Sequence, residues 1–147
     1  MFLDLPAKIY RRDPFFCIPA RQKTRSSIFR EDFSNRQEMF VAVRNGRPVA
    51  RLLTRTSSAL SCTDGKPYGM IGFFEAENDV EAAHRLFDRA IAWLKKLDSG
   101  TIIGPIDGDT WHSYRLNIGP FSEPPFLMEP YNPPYYRQLW ESYGNCR

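Results

Sequence analysis

The stretch GPIDGDTWHSYR, residues 104–115, gathers more groups able to do chemistry than any other part of the chain. A carboxylate near an imidazole is the pairing that general acid–base catalysis uses: the carboxylate orients the ring and the ring moves the proton. Asp107 and Asp109 stand close to His112 in this way, Arg115 offers a cation to an anionic group, and Trp111 and Tyr114 offer flat apolar surface. With Thr110 they read as a substrate-binding set for a small polar or anionic molecule. The alternative is structural, with Trp111 and Tyr114 pinning the loop while His112 and Arg115 cap it. Gly104, Pro105 and Gly108 shape the backbone, and the segment follows a β-branched run, the end of a strand at which open sheets place ligands. The chain has 2 histidines, His84 and His112, far apart in sequence, so no metal site is expected.

A second stretch, FFEAENDVEA at 73–82, leads from an apolar run into a long helix. The start of a helix exposes unpaired N–H groups and the positive end of its dipole, which suits an anion. Here Glu75, Glu77 and Asp79 crowd that place, and no glycine stands between Gly72 and the helix. Each carboxylate satisfies the dipole itself and repels a second anion. The turn therefore reads as a capped, structural helix start, with Asn78 and Glu81 spaced as a capping box; a rearranged ligand loop is the alternative.

Periodicity gives the elements that must position these groups. Phe2, Leu5, Ile9 and Tyr10 at helical spacing predict a short helix within 2–11, with Pro6 in its first turn. Residues 11–35 are irregular and polar and carry Arg21, Lys23, Arg25 and Arg30; they read as a solvated connection, or as a loop attracting an anionic partner. Over 39–58, two apolar-rich runs flank Asn45-Gly46, the dipeptide a type I′ hairpin turn prefers because both central residues need positive φ. Pro48 belongs near the hairpin end. A loop at 57–66 and an apolar, central strand at 68–75 follow. Ala83, Leu86, Phe87, Ala90, Ile91 and Leu94 form the stripe of a helix that Ser99-Gly100 closes. TIIG at 101–104 predicts a buried fourth strand, parallel to the third across the helical crossover. Residues 105–134 are turn-rich, and 135–144 predict a closing helix.

A length of 147 residues suits one domain with a real core, and 42% apolar with 25% charged residues argues for a globular chain rather than a disordered one. A net charge of +3, without a concentrated basic patch, does not argue for nucleic acid. No apolar run reaches membrane-spanning length, and the N-terminus lacks the apolar core of a signal peptide. Cys17, Cys62 and Cys146 are odd in number and widely spaced, as expected of reduced thiols in a cytoplasmic protein.

The order of hairpin, apolar strand, long helix, short strand, loop and closing helix resembles the GCN5-related N-acetyltransferase (GNAT) family. The segments FLDLPAKIYRRDP, FVAVRNGRPVAR, YGMIGFFE, IIGPIDGDTWHSYR and PYNPPYYRQLWESYG resemble a bacterial acetyltransferase group within it, from Phe2 to Gly144. The resemblance implies an α+β fold, a mixed, mostly antiparallel twisted sheet with flanking helices. It implies acetyl-CoA between two splayed parallel strands, with Ile71, Gly72, Phe73 and Phe74 as cofactor-binding residues. A backbone N–H of the central strand would polarise the thioester carbonyl, Glu75 would act as base, and Tyr136 would protonate the leaving thiolate.

Three departures accompany the resemblance. The 73–82 turn lacks the glycine-rich pattern that seats a pyrophosphate in the family. Trp140 stands four residues before Gly144 where the family places a tyrosine, and is expected to pack in the core; Tyr135 and Tyr143 are nearby substitutes. The chain begins at the helix that usually follows a first strand and stops three residues after Gly144. The expectation is a single domain over 1–147, incomplete at both ends, whose open sheet edges invite a homodimer or a second domain. The implied function is an acyl-CoA-dependent N-acyltransferase, transferring acetyl to an amine, in degenerate or truncated form. The rival is a non-catalytic ligand- or protein-interaction domain that keeps the fold. Neither a membrane nor a nucleic acid is an expected partner.

Overall fold

The computed structural model describes residues 1–147 apart from Ile18, 30–35, 127–128 and 145–147, and describes the backbone alone at 58–61. Readings that fall on Arg30, Asn145 or Cys146 lie outside the described residues. Helices α1 (Leu5–Ile9) and α2 (Arg21–Ile28) precede strands β1 (Gln37–Arg44), β2 (Arg47–Ser61) and β3 (Pro67–Ala76). Helix α3 (Val80–Lys96), strand β4 (Ile102–Ile103) and helix α4 (Tyr136–Glu141) follow. The fold is α+β: one twisted sheet in the order β1-β2-β3-β4, antiparallel except for β3 and β4, which run parallel through Gly69↔Ile102 and Met70↔Ile103.

The hairpin forms as its sequence dictates: Asn45 has φ +51° and Gly46 φ +74°, the paired positive values a type I′ turn needs. Pro48 sits at its closed end, opposite Val43. The α3 stripe is also as read, with Ala83, Leu86, Phe87, Ala90 and Leu94 buried against Leu52, Ile71 and Phe74. Tyr136 and Leu139 of α4 join the same core, and Trp140 packs its ring against those of Phe74 and Phe87. The opposite face of β2 and β3 is covered by the N-terminal segment: Ile28 is buried with Leu53 and Phe73, and Phe2 and Leu3 pack beside them.

Several elements differ from the sequence reading. Residues 21–28 form a helix rather than a solvated loop. They contain neither glycine nor proline, and one apolar residue, Ile28, is buried, too few to show as a stripe. β2 runs to Ser61, through most of the expected loop at 57–66. The N-cap of α3 is Asp79, not Asn78; its carboxylate accepts from Ala82 N at 3.0 Å. That helix ends with Asp98 in the left-handed region, φ +54°, so Asp98 does what Gly100 was expected to do. β4 is two residues long and half-buried rather than buried.

Between Leu53↔Gly72 and Arg51↔Glu75 the ladder holds an extra residue on β3, and Phe73 takes φ +48°. Gly72 is required here because the chain returning from β4 presses on it: a Cβ would lie 2.1 Å from Ile106 O. Backbone cannot swing aside as a side chain can. Gly72→Ala is therefore expected to cost about 3 kcal/mol or more, read as a lowered urea midpoint, whereas Gly46→Ala meets no atom and pays for its positive φ alone.

Candidate functional site

The bulge sets the site, because it frees the C-terminal half of β3 from regular pairing on the β4 side. Four groups of the chain's own take up that edge. Ile106 N donates to Ile71 O at 2.9 Å, and Phe73 N donates to Asp107 Oδ1 at 2.6 Å. Ala76 N donates to the Tyr136 hydroxyl at 2.8 Å, and the Tyr135 hydroxyl donates to Ala76 O at 2.8 Å. The Tyr136 hydroxyl, accepting from Ala76, donates in turn to Glu75 Oε2 at 2.7 Å.

Glu75 is the centre of this arrangement. Its side chain keeps 15% of its surface exposed, and Arg51 Nη2 lies 3.9 Å away. Burial raises its pKa to about 7, against the opposing pull of Arg51, Tyr136 and Tyr10, with a further upward push from Asp107. Tyr10, at the C-terminal end of α1, is buried above the same carboxylate, and Phe16 stacks on its ring at 3.6 Å. Burial first, and then Glu75, holds the Tyr136 hydroxyl well above the usual phenol range, so it stays a donor. Arg51 donates to Phe2 O and lies over the Phe2 ring. Asp107 is raised to about 6 by burial, which outweighs the Phe73 N–H and the charges of Arg51, Arg55 and His112. Chemically this is a largely buried carboxyl, with a small accessible part, whose pKa lies near neutrality, supported by a phenol and a buried guanidinium.

The 104–115 set does not converge as a whole. Asp107 turns inward to Phe73. Asp109 turns to its own loop, with Oδ1 accepting from Trp111 N at 2.9 Å and lying 2.6 Å from His112 Nδ1. Burial raises the Asp109 pKa, but those hydrogen bonds outweigh it and the net direction is down. Arg115 pairs with Glu129 at 2.8 Å and lies over the Tyr114 ring. Trp111, expected to pin the loop or line a ligand, is 90% exposed. A cleft of about 370 Å³ lies further along, lined by Arg115, Asn117, Ile118, Phe126 and Glu129, away from Glu75. Sequence reasoning missed Tyr10, placed only on a helix face, and Arg51, which lies within the second apolar-rich run of the hairpin.

The start of α3 does not fit a CoA pyrophosphate. Asp79 caps it from within, its pKa held down first by the Ala82 N–H, and Arg44 closes over it with Nε 2.8 Å from Asp79 and Nη2 3.0 Å from Glu81. The residues expected to bind the cofactor are likewise engaged: Ile71 O and Phe73 N are bonded to 106–107, Gly72 is pressed by Ile106, and Phe74 faces the core with Phe87.

The fold and site thus define an α+β domain built around a buried, near-neutral carboxyl. No family model matches the chain. It is similar, at 25% identity over 151 residues and 99% of its length, to the bacterial ceramide synthase of Caulobacter vibrioides, of which it spans 39%. It is also similar to a solved aminoglycoside acetyltransferase from an uncultured soil metagenomic sample, crystallised with sisomicin, with 14% identity and a TM-score of 0.48 over 69% of this chain and 64% of that one. Among the described residues no helix is long and apolar enough to cross a membrane.

Proposed function

We propose that this chain carries the amine-activating part of an N-acyltransferase. The observation that carries the reading is Glu75, a partly accessible carboxyl hydrogen-bonded to Tyr136, whose pKa burial pushes up to about 7. An amine attacks an acyl carbon only as the free base, so transfer to it needs a group that accepts a proton near neutral pH. Tyr136 and Arg51 favour the ionised carboxylate of Glu75, which takes that proton and becomes the neutral acid as the amine becomes the free base. The likeness to a ceramide synthase agrees with this, since a ceramide is the N-acyl derivative of a long-chain amino alcohol. The acceptor class is then an amphipathic primary amine. The acyl donor, acetyl-CoA or a longer acyl-CoA, is assigned to no residue, because the α3 start and the β3 edge do not fit it.

The filled β3 edge and the capped α3 favour a second reading, a non-catalytic ligand- or protein-interaction domain. The two separate in one experiment. The folded chain is incubated with acetyl-CoA or palmitoyl-CoA and with a short amine or a long-chain amino alcohol, and amide product is followed by mass spectrometry beside calorimetry with CoA. Amide formation that depends on Glu75 supports acyl transfer. No product, together with no CoA binding at millimolar ligand by a chain shown to be folded by circular dichroism, leaves the interaction domain.

A further inference from the structure

β1 is an edge strand with the sequence of an inner one. It is the first strand in the sheet order, and among the described residues nothing pairs with its outer side. One hydrogen bond fixes its phase. Thr56 N donates to Arg36 O at 3.1 Å, and the register continues through Gln37↔Arg55, so the even residues of β1 direct N–H and C=O toward β2. Residues 37, 39, 41 and 43 therefore direct theirs outward. Natural edges are blunted by lysine, proline, a bulge or a short strand. This one runs for eight residues and reads Met-Phe-Val-Ala-Val at its middle, with Met39 39% and Val43 54% exposed. The register shift at Ala42/Val43 places the extra residue, Val49, on β2, so the outer side of β1 is uninterrupted.

We propose that two copies of this chain pair β1 with β1, antiparallel about a twofold axis at Val41, into one continuous sheet. Val41 then faces Val41 of the second copy, Met39 faces Val43, Phe40 faces Ala42, and Glu38 faces Arg44. The neighbouring registers are worse. Sliding one way sets Arg36 against Arg44; sliding the other sets Arg44 against Phe40 and leaves Glu38 opposite Gly46. Arg44 already holds Asp79 and Glu81 of its own chain, so Glu38 selects the register while the backbone bonds and apolar pairs hold it. The pairing is independent of the acyltransferase reading, and its test involves no activity.

The full chain is expected to sediment as a dimer at tens of micromolar. Val41→Pro removes an outward N–H and no bond to β2, so it should yield a folded monomer by circular dichroism and sedimentation. With the three native cysteines changed to serine, Val41→Cys should cross-link to itself on oxidation, its Cα atoms being about 5.5 Å apart across the axis. Met39→Cys should not, because four residues of strand, roughly 13 Å, separate the two copies of that position. A folded chain that stays monomeric, a Val41→Pro dimer, or cross-linking at Met39 in place of Val41 each overturns the proposal.

Discussion

Glu75→Gln is expected to lower amine acylation by roughly 10²–10⁴-fold, the usual worth of a positioned general base, while the chain stays folded. Glutamine keeps the shape and can still accept from Tyr136, but it takes no proton. The wild-type rate should rise with pH and level off above about 7, where Glu75 becomes ionised. A rate that instead fell above that pH would mean the carboxyl acts as an acid. Stability should move the other way. Burial raises Glu75 from 4.5 to about 7, so its contribution is fully present below about pH 4.5 and is lost as pH rises through about 7. The loss is on the order of 3 kcal/mol. Asp107, raised from 3.8 to about 6, adds to the loss in the same direction. Denaturation from pH 5 to 8 should thus show wild type losing more stability than Glu75→Gln, while activity over the same range rises.

What could be read from the sequence was whatever rests on local backbone demand or on period. Asn45-Gly46 fixes the hairpin because few other dipeptides tolerate two positive φ values, and the α3 stripe is visible because six apolar positions repeat on one face. The site was legible in part. Glu75 falls at the strand end where the resemblance implies a carboxylate, and Tyr136 was one of several nearby tyrosines. What stayed hidden depends on a second layer. Arg51 and Arg55 alternate with apolar residues, a pattern that does not reveal what covers them, yet they are 4% and 1% exposed beneath the N-terminal segment. That segment gives little warning, because α2 has no capping side chain and a single buried residue. Asp107 could not be told from Asp109 by composition; the bulge at Phe73, which no residue type announces, turns one inward and leaves the other in its loop.

Arg51→Met is expected to cost about 3–5 kcal/mol at pH 8, the range for removing one partner from a buried charged set, with a much smaller loss at pH 5. Arg51 faces Glu75 at 3.9 Å, and its charge favours the ionised forms of both Glu75 and Asp107. At pH 8 both carboxyls are ionised in the native protein, and without the guanidinium they would be buried beside one another with less opposing charge. At pH 5 both are neutral, so the cation's absence matters less. Urea unfolding at the two pH values isolates the charge from the other things Arg51 does. Its bond to Phe2 O and its place over the Phe2 ring anchor the N-terminal segment to β2 at either pH. An equal loss at pH 5 and pH 8 would assign Arg51 to that anchoring role and leave Glu75 to be held by Tyr136 and Tyr10. A loss confined to high pH would show that the Arg51 charge beneath Phe2 keeps Glu75 ionisable near neutrality, the property on which the proposed chemistry depends.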